Sequence, residues 1–268
     1  MQNENMIDAY MLNKSQLIDR IQQEEGYLWA DIAIIYYDRE KIYTTVDVVE
    51  PRDQHRLNYF RSAPTDSILI PDGLMQLWDE YEKTGLDLFF EGKLITQSNN
   101  CPVWHCLYGF EHPQLARFEK PITEIAREQS DLLRKIINAD QNPKNRASAI
   151  YLMGHLADPD FIIQSLVPLI YDPDPMVRNN AMRVIGSILE RYAIKEFPIE
   201  MVIQALDFPN TTDRNKALYI LSGLANHSEY AIYIKSHARP LLQKHLALMQ
   251  PNLHELSEDI LKKIDAYS

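Results

Sequence analysis

Residues 172–186 of this chain read DPDPMVRNNAMRVIG, and no other stretch constrains the fold as strongly. A turn of Asp and Pro leads into Val177 and Arg178, then small Ala181, then Val184, Ile185 and Gly186. The pattern returns upstream as KNRASAIYLMG, with Arg146, Ala149, Leu152, Met153 and Gly154, and downstream as TDRNKALYILSG, with Arg214, Ala217, Ile220 and Leu221. The arginines are spaced by 32 and 36 residues. Self-similarity at this period predicts stacked helical repeats, each unable to bury its apolar face alone.

From Pro121 onward amphipathic stretches follow one another, broken by Asn-Pro, Asp-Pro and Pro-Asn turns. Helices are expected at 122–138, 143–156, 160–170, 175–192, 199–206, 212–226, 230–248 and 252–266, giving about four antiparallel pairs. In the central one, Val177, Ala181, Val184, Ile185, Ile188 and Leu189 form one apolar stripe, with the alanine where two helices approach closely. This Asp-Pro turn, Val-Arg pair, alanine and aliphatic-Gly ending resemble HEAT-type repeats, in the short variant common in bacterial proteins. The resemblance covers about 121–268 and is best at 172–191. It is weaker at 143–156 and 212–226. It is poorest at 252–266, where His254 and Ser257 stand at the Arg and Ala positions, as in a capping repeat. It implies an α-solenoid. HEAT-type families include scaffolds, adaptors, pigment lyases, a DNA glycosylase and a di-iron hydroxylase, so the resemblance alone fixes no activity.

The first third is different in character. Residues 1–23 read as one or two amphipathic helices ended by Gly26. Residues 28–37 and 41–49 are rich in aromatic and β-branched residues and predict a β-hairpin around Asp38–Glu40. A short strand is expected at 67–70, then a helix at 74–83 stopped by Gly85; 86–95 reads as either strand or helix, and 97–113 is turn-rich. The whole is α+β: a small acidic α/β domain at 1–118, followed by a HEAT-like α-solenoid at 119–268.

Charge supports that split. Of 27 Lys/Arg and 38 Asp/Glu, residues 120–268 hold seventeen and eighteen, leaving ten basic and twenty acidic residues before them. An acidic half with no compensating Lys/Arg cluster argues against nucleic acid and anionic lipid as partners. No run approaches eighteen apolar residues, so no membrane insertion is expected. Asn3, Glu4, Asp8, Lys14, Asp19 and Arg20 are not a signal peptide. A cytoplasmic protein is expected as the chain stands, and an exported mature form if the two cysteines are joined.

Shifting by the repeat spacings stacks Tyr151, Arg183 and Tyr219 in one column, Ser148, Asn180 and Lys216 in a second, and Asn179 over Asn215. These positions lie off the apolar stripe on the second helices, which line the concave face of a solenoid. Tyr and Arg carry interface energy, and Asn can hold a peptide backbone, so a protein or peptide groove is one reading. The other is that they fill the polar face every such helix has. Arg146, Arg178 and Arg214 read as structural, bonding the Asp or carbonyls of neighbouring turns.

A second candidate is residues 101–112, CPVWHCLYGFEH, which hold both cysteines. Cys101 and Cys106 suit a short-loop disulfide. With His105 and His112 they form a possible metal set, although C-x3-H-C-x5-H matches no standard zinc spacing. Either cysteine beside either histidine also has the makings of a thiolate nucleophile. Packing among Trp104, Tyr108 and Phe110 competes with all three. G-x-S-x-G, P-loop and G-x-G-x-x-G motifs are missing, and His254-Glu255 is a lone His-Glu pair where a repeat-built iron site needs several. His155 and His227 read as helix-end residues bonding terminal carbonyls. Tyr36, Tyr37 and Tyr43 either extend a recognition surface or pair across strands.

The resulting expectation is a non-catalytic scaffold or adaptor with a groove at Tyr151, Asn179, Asn180, Arg183, Asn215, Lys216 and Tyr219, with no cofactor and no metal. The alternatives are a cysteine-dependent hydrolase or transferase at 101–112, and a solenoid that holds a small pigment or lipid.

Overall fold

The computed structural model describes residues 2–36, 42–94, 101–248 and 250–267. Tyr37 and the hairpin turn expected at Asp38–Glu40 lie outside them. The chain is mostly helical, with one two-stranded sheet among the described residues. It forms two compact units that interleave along the sequence. The first takes residues 1–60, 203–218 and 225–268, and the second takes 61–202 and 219–224. Residues 61–118 belong with the helices that follow them, and residues 1–60 with helices late in the chain.

In the first unit, α1 (Gln2–Glu25) is a single helix, and Gly26 after it has φ 71°. It packs on β1 (Trp29–Tyr36), which pairs antiparallel with β2 (Ile42–Val49) in the register Trp29↔Val49 to Tyr36↔Ile42. That register sets Asp31 opposite Asp47, a like-charged pair that costs stability unless each carboxylate is answered. Asp31 meets Lys14 Nζ at 2.7 Å and accepts from Asn210 Nδ2 at 2.8 Å. Asp47 meets Arg214 Nη2 at 2.6 Å and accepts from Thr211 N at 2.6 Å and Thr211 Oγ1 at 2.7 Å. A 3-10 helix (Pro51–Asn58) follows, and Arg56 donates to the carbonyls of Asp207 and Phe208 at 2.8 and 3.0 Å. The expected helix 230–248 is broken at Ala238 into α10 (Ser228–His237) and α11 (Arg239–Leu246), and both pack on α12 (Pro251–Asp265). Pro240 at the start of α11 lacks the N–H that a continuous helix needs.

The second unit holds α2 (Leu74–Phe90), α3 (Pro113–Glu128), α4 (Ser130–Ala139), α5 (Pro143–Met153), α6 (Pro159–Leu166) with a 3-10 turn (Val167–Tyr171), and α7 (Pro175–Leu189). Two further helices, α8 (Ile199–Ala205) and α9 (Thr211–Leu224), contribute residues to both units. Each repeat helix opens by the same chemistry. Asn142, Asp174 and Asn210 accept the backbone N–H two residues on, at 3.0, 2.9 and 2.8 Å, and Pro143 or Pro175 occupies the first turn of α5 or α7. The stripe Val177, Ala181, Val184, Ile185 and Ile188 is fully buried, and α7 packs on α5 as α5 does on α4.

The three repeat arginines are structural, as expected, and all do the same thing. Each Nη1 donates to the carbonyls six and five residues before it: Asp140 and Gln141 for Arg146 (2.8 and 3.3 Å), Asp172 and Pro173 for Arg178 (2.8 and 3.0 Å), Phe208 and Pro209 for Arg214 (2.8 and 2.5 Å). The buried turn carbonyls thus find a donor. Arg146 reaches on to the carboxylate of Asp172 at 2.7 Å, which Arg61 also meets at 2.5 Å.

Three expectations fail. Residues 67–70 form no strand; only Asp66 makes an isolated parallel bridge to Asp140. Helix α2 runs through Gly85 to Phe90, because that glycine makes room: a Cβ there would stand 2.0 Å from Tyr108 Cδ2. The helix expected from 122 begins at Pro113, carries Pro121 in its interior, and is separated from α4 at Gln129. No helix among the described residues is long and apolar enough to cross a membrane.

Candidate functional site

The site is built on α5 and α7 in the second unit. Asn180 Nδ2 donates to Ala147 O at 3.1 Å, which locks the two helices one repeat out of step. Within the columns inferred from sequence, Arg183 lies near enough for its charge to bear on Tyr151. Their members have different fates. Tyr151 is only 6% exposed, its ring between Trp78 of α2 (centroids 5.4 Å apart) and His105 (5.3 Å apart). Asn180 and Ser148 are buried too. Asn179, Arg183 and Tyr219 stay half-exposed. Asn215 and Lys216 lie in the first unit, where Asn215 donates to Asn252 O at 3.1 Å and Lys216 to Asn215 Oδ1 at 3.0 Å.

An aromatic wall covers the α5 end. Tyr81 is fully buried, stacks on Phe110, accepts from Tyr108 N at 3.0 Å and donates to Gly109 O at 3.3 Å; burial holds its hydroxyl well above the usual phenol range. Tyr108 is pushed up to about 12, first by burial and then by the nearby Glu82 carboxylate, with the positive charge of Arg183 opposing. Tyr151 is raised by burial, again against Arg183. Glu82 itself is raised by burial, with Lys144 pulling the other way. Tyr219 is raised by burial and by its bond to Glu190, and its ring lies over Gly186, where a Cβ would stand 2.3 Å from Cδ1.

Beside this wall, residues 101–106 form a loop closed by a Cys101–Cys106 disulfide. Arg191 gathers the loop's carbonyls, donating to Val103 O at 2.8 Å and Trp104 O at 2.5 Å while standing 5.4 Å over the Trp104 ring. Trp104 N donates to Gly154 O at 3.0 Å, and His105 Nδ1 lies 3.0 Å from Ser187 Oγ. Of the readings open for this stretch, the structure takes the disulfide. Both sulfurs are then unavailable as a thiolate nucleophile or as metal ligands, which removes the chemistry of the hydrolase reading in this form. His112 stands apart from the loop and caps α3, accepting from Gln114 N at 3.3 Å.

His155 is 1% exposed and lies within 3.0 Å of Thr123 Oγ1, rather than bonding a helix-terminal carbonyl; burial and Arg127 lower its pKa to about 4. His227 precedes α10 without a side-chain cap bond. Tyr43 stands opposite Ile35 in the backbone register of the hairpin.

Sequence reading missed two participants. Trp78 falls within the helix expected at 74–83, and nothing in the sequence signals that its neighbour is Tyr151. Asp47 was read only as a strand residue. A signal existed: Asp47 is a lone carboxylate in a β-branched run.

No family model and no curated protein matches this chain. Among solved structures it is similar to a designed armadillo repeat protein, at 16% identity and a TM-score of 0.47 over 78% of this chain and 98% of that one. A second designed armadillo repeat protein, in complex with the peptide (KR)4, gives 16% identity and 0.46 over the same shares. Yeast importin-beta gives 14% identity and 0.45 over 72% of this chain and 28% of that chain.

Proposed function

We propose that this chain is a non-catalytic scaffold of HEAT-type repeats that holds a protein or peptide segment against the half-exposed flank of α7, with Asn179, Arg183 and Tyr219 as its contacts. Asn215 and Lys216, which lie in the first unit, are kept in the proposal as a separate pair of contacts on α9. One observation carries the reading. In the second unit, packing buries Tyr151, Ser148 and Asn180, whereas Asn179, Arg183 and Tyr219 remain partly open. Tyr and Arg are the side chains that most often anchor an interface, and both are held on rigid helices rather than loops.

The test begins with selection of a phage-displayed random peptide library on the wild-type protein. Titration calorimetry of the selected peptides then follows on Arg183→Ala, Tyr219→Phe and the exposed control Ile232→Ala. The groove reading expects loss of affinity in the first two and none in the third. Selected peptides that bind all three variants as they bind the wild type would remove it.

A further inference from the structure

Arg183 differs from the other buried or half-buried arginines of its unit in what it touches. Arg61 and Arg146 meet a carboxylate, and Arg146 and Arg178 each donate to two backbone carbonyls, as does the exposed Arg191. Arg183 has one bond, from Nη2 to the neutral Asn179 Oδ1 at 3.3 Å, one turn back on its own helix. Its Nε, like that of Arg61, is buried and has no acceptor among the described residues, but Arg61 has the Asp172 carboxylate and Arg183 has no acid. A guanidinium withdrawn from water without an acid is costly to keep, and is relieved most by an anion that fits its fork.

The surroundings are suited to receive one. Tyr108 and Tyr151 lie within the field of Arg183, and both are neutral phenols able to donate to an incoming oxygen. Glu82 shares those tyrosines, but its own charged neighbours are Lys144 and Asp79. Among the described residues Arg183 is the one cation that bears on both tyrosines, and a single positive charge matches a monovalent carboxylate better than a phosphate, which is typically met by several Arg or Lys together.

We infer that Arg183 is the receptor for the side-chain carboxylate of an Asp or Glu in the bound peptide segment, a step that rests on the groove reading above. The acid pairs with the guanidinium fork, and the tyrosine hydroxyls supply further donors.

The same library tests it when its peptides are fused through their C-termini, so that the only free carboxylates are side chains. Peptides enriched on the wild type are expected to share an Asp or Glu at a fixed position. Changing that residue to Asn or Gln is expected to weaken binding about 10- to 100-fold, the range of a charge-assisted hydrogen bond. On Arg183→Gln the same change is expected to cost almost nothing, and Arg183→Lys is expected to restore part of the discrimination. Thermal melting of each variant confirms that the fold is kept. Enriched peptides that lack a fixed acid but still depend on Tyr219 would overturn the carboxylate assignment and leave the groove standing. An acid-to-amide change that costs the same on Arg183→Gln as on wild type would also overturn it. A library that yields no peptide on the wild type sinks both.

Discussion

Asp47→Ala is the most informative single change in the first unit. Asp47 is 6% exposed and accepts three hydrogen bonds, from Arg214 Nη2, Thr211 N and Thr211 Oγ1, at 2.6, 2.6 and 2.7 Å. Thr211 begins α9, so the carboxylate satisfies one of that helix's free N–H groups and sits at the positive end of its dipole. Truncation leaves the Arg214 guanidinium buried without its counter-charge, a loss of about 3–5 kcal/mol. For a chain of this size that is a fall of roughly 6–20 °C in Tm. Asp47→Asn keeps shape and some acceptor capacity, and should cost about 1.5–3 kcal/mol, the worth of hydrogen bonds to a charged group. Asp47→Leu with Arg214→Met should recover only part of the loss: the uncompensated charge is gone, but the carbonyls of Phe208 and Pro209 and the Thr211 N–H lose their partners.

The assay is urea unfolding followed by circular dichroism, joined to hydrogen-exchange mass spectrometry of peptides covering β2 and the start of α9. Loss of protection should appear in both segments together. A cost below about 1 kcal/mol for Asp47→Ala, or exchange unchanged in β2, would refute the reasoning, because a buried ion pair broken on one side is expected to cost several times that.

Three further outcomes follow from the same geometry. His155 and His245 are both lowered to about 4 by burial, and His245 Nε2 already serves Leu206 O at 2.8 Å, so the proton it would gain goes to a buried Nδ1. The unfolded chain therefore binds more protons between about pH 6.5 and 4, and stability should be full above that window and fall through it by up to about 3 kcal/mol per histidine; urea midpoints equal at pH 7.5 and 5 would contradict this. Gly186→Ala places a methyl group on the Tyr219 ring, and should lower the urea midpoint by the equivalent of about 1–3 kcal/mol, with Tyr219→Ala in the same chain relieving the clash. Cys101→Ser with Cys106→Ser should cost about 2 kcal/mol, the loop-closure value for so short a ring, and a phosphine reductant should lower the wild-type midpoint but not that of the double variant.

What could be read from the sequence was local. The caps Asn142, Asp174 and Asn210 and the arginines four residues after each serve the turn before one helix, and Ala149, Ala181 and Ala217 recur at the same period, so spacing alone exposes them. The hairpin was legible for the same reason. What escaped the reading depends on partners far along the chain. Gly85 looks like a stop until Tyr108 is seen against it, and Tyr151 looks like a surface residue until Trp78 and His105 cover it. Pro121 was taken for a boundary because a helix interior rarely tolerates proline, yet α3 runs on through it. The cysteine spacing permitted a disulfide but did not separate it from its rivals, since a thiolate needs only the same two residues and a histidine.

Recurrence itself distinguishes the two kinds of arginine on α7. Arg178 and Arg183 are five residues apart, which at 3.6 residues per turn sets them about 140° apart around the helix. Arg178 faces the turn it holds, and every repeat has such a turn, so Arg146 and Arg214 recur in its column. Arg183 holds no turn, and its column changes along the chain to Tyr151 and Tyr219. A structural residue must reappear wherever the same buried carbonyls reappear. A residue that serves a ligand answers to the ligand, which need not repeat at the same period. The column that varies while staying aromatic or cationic is therefore the better place to look for recognition, and the invariant one explains why those side chains stand where they do.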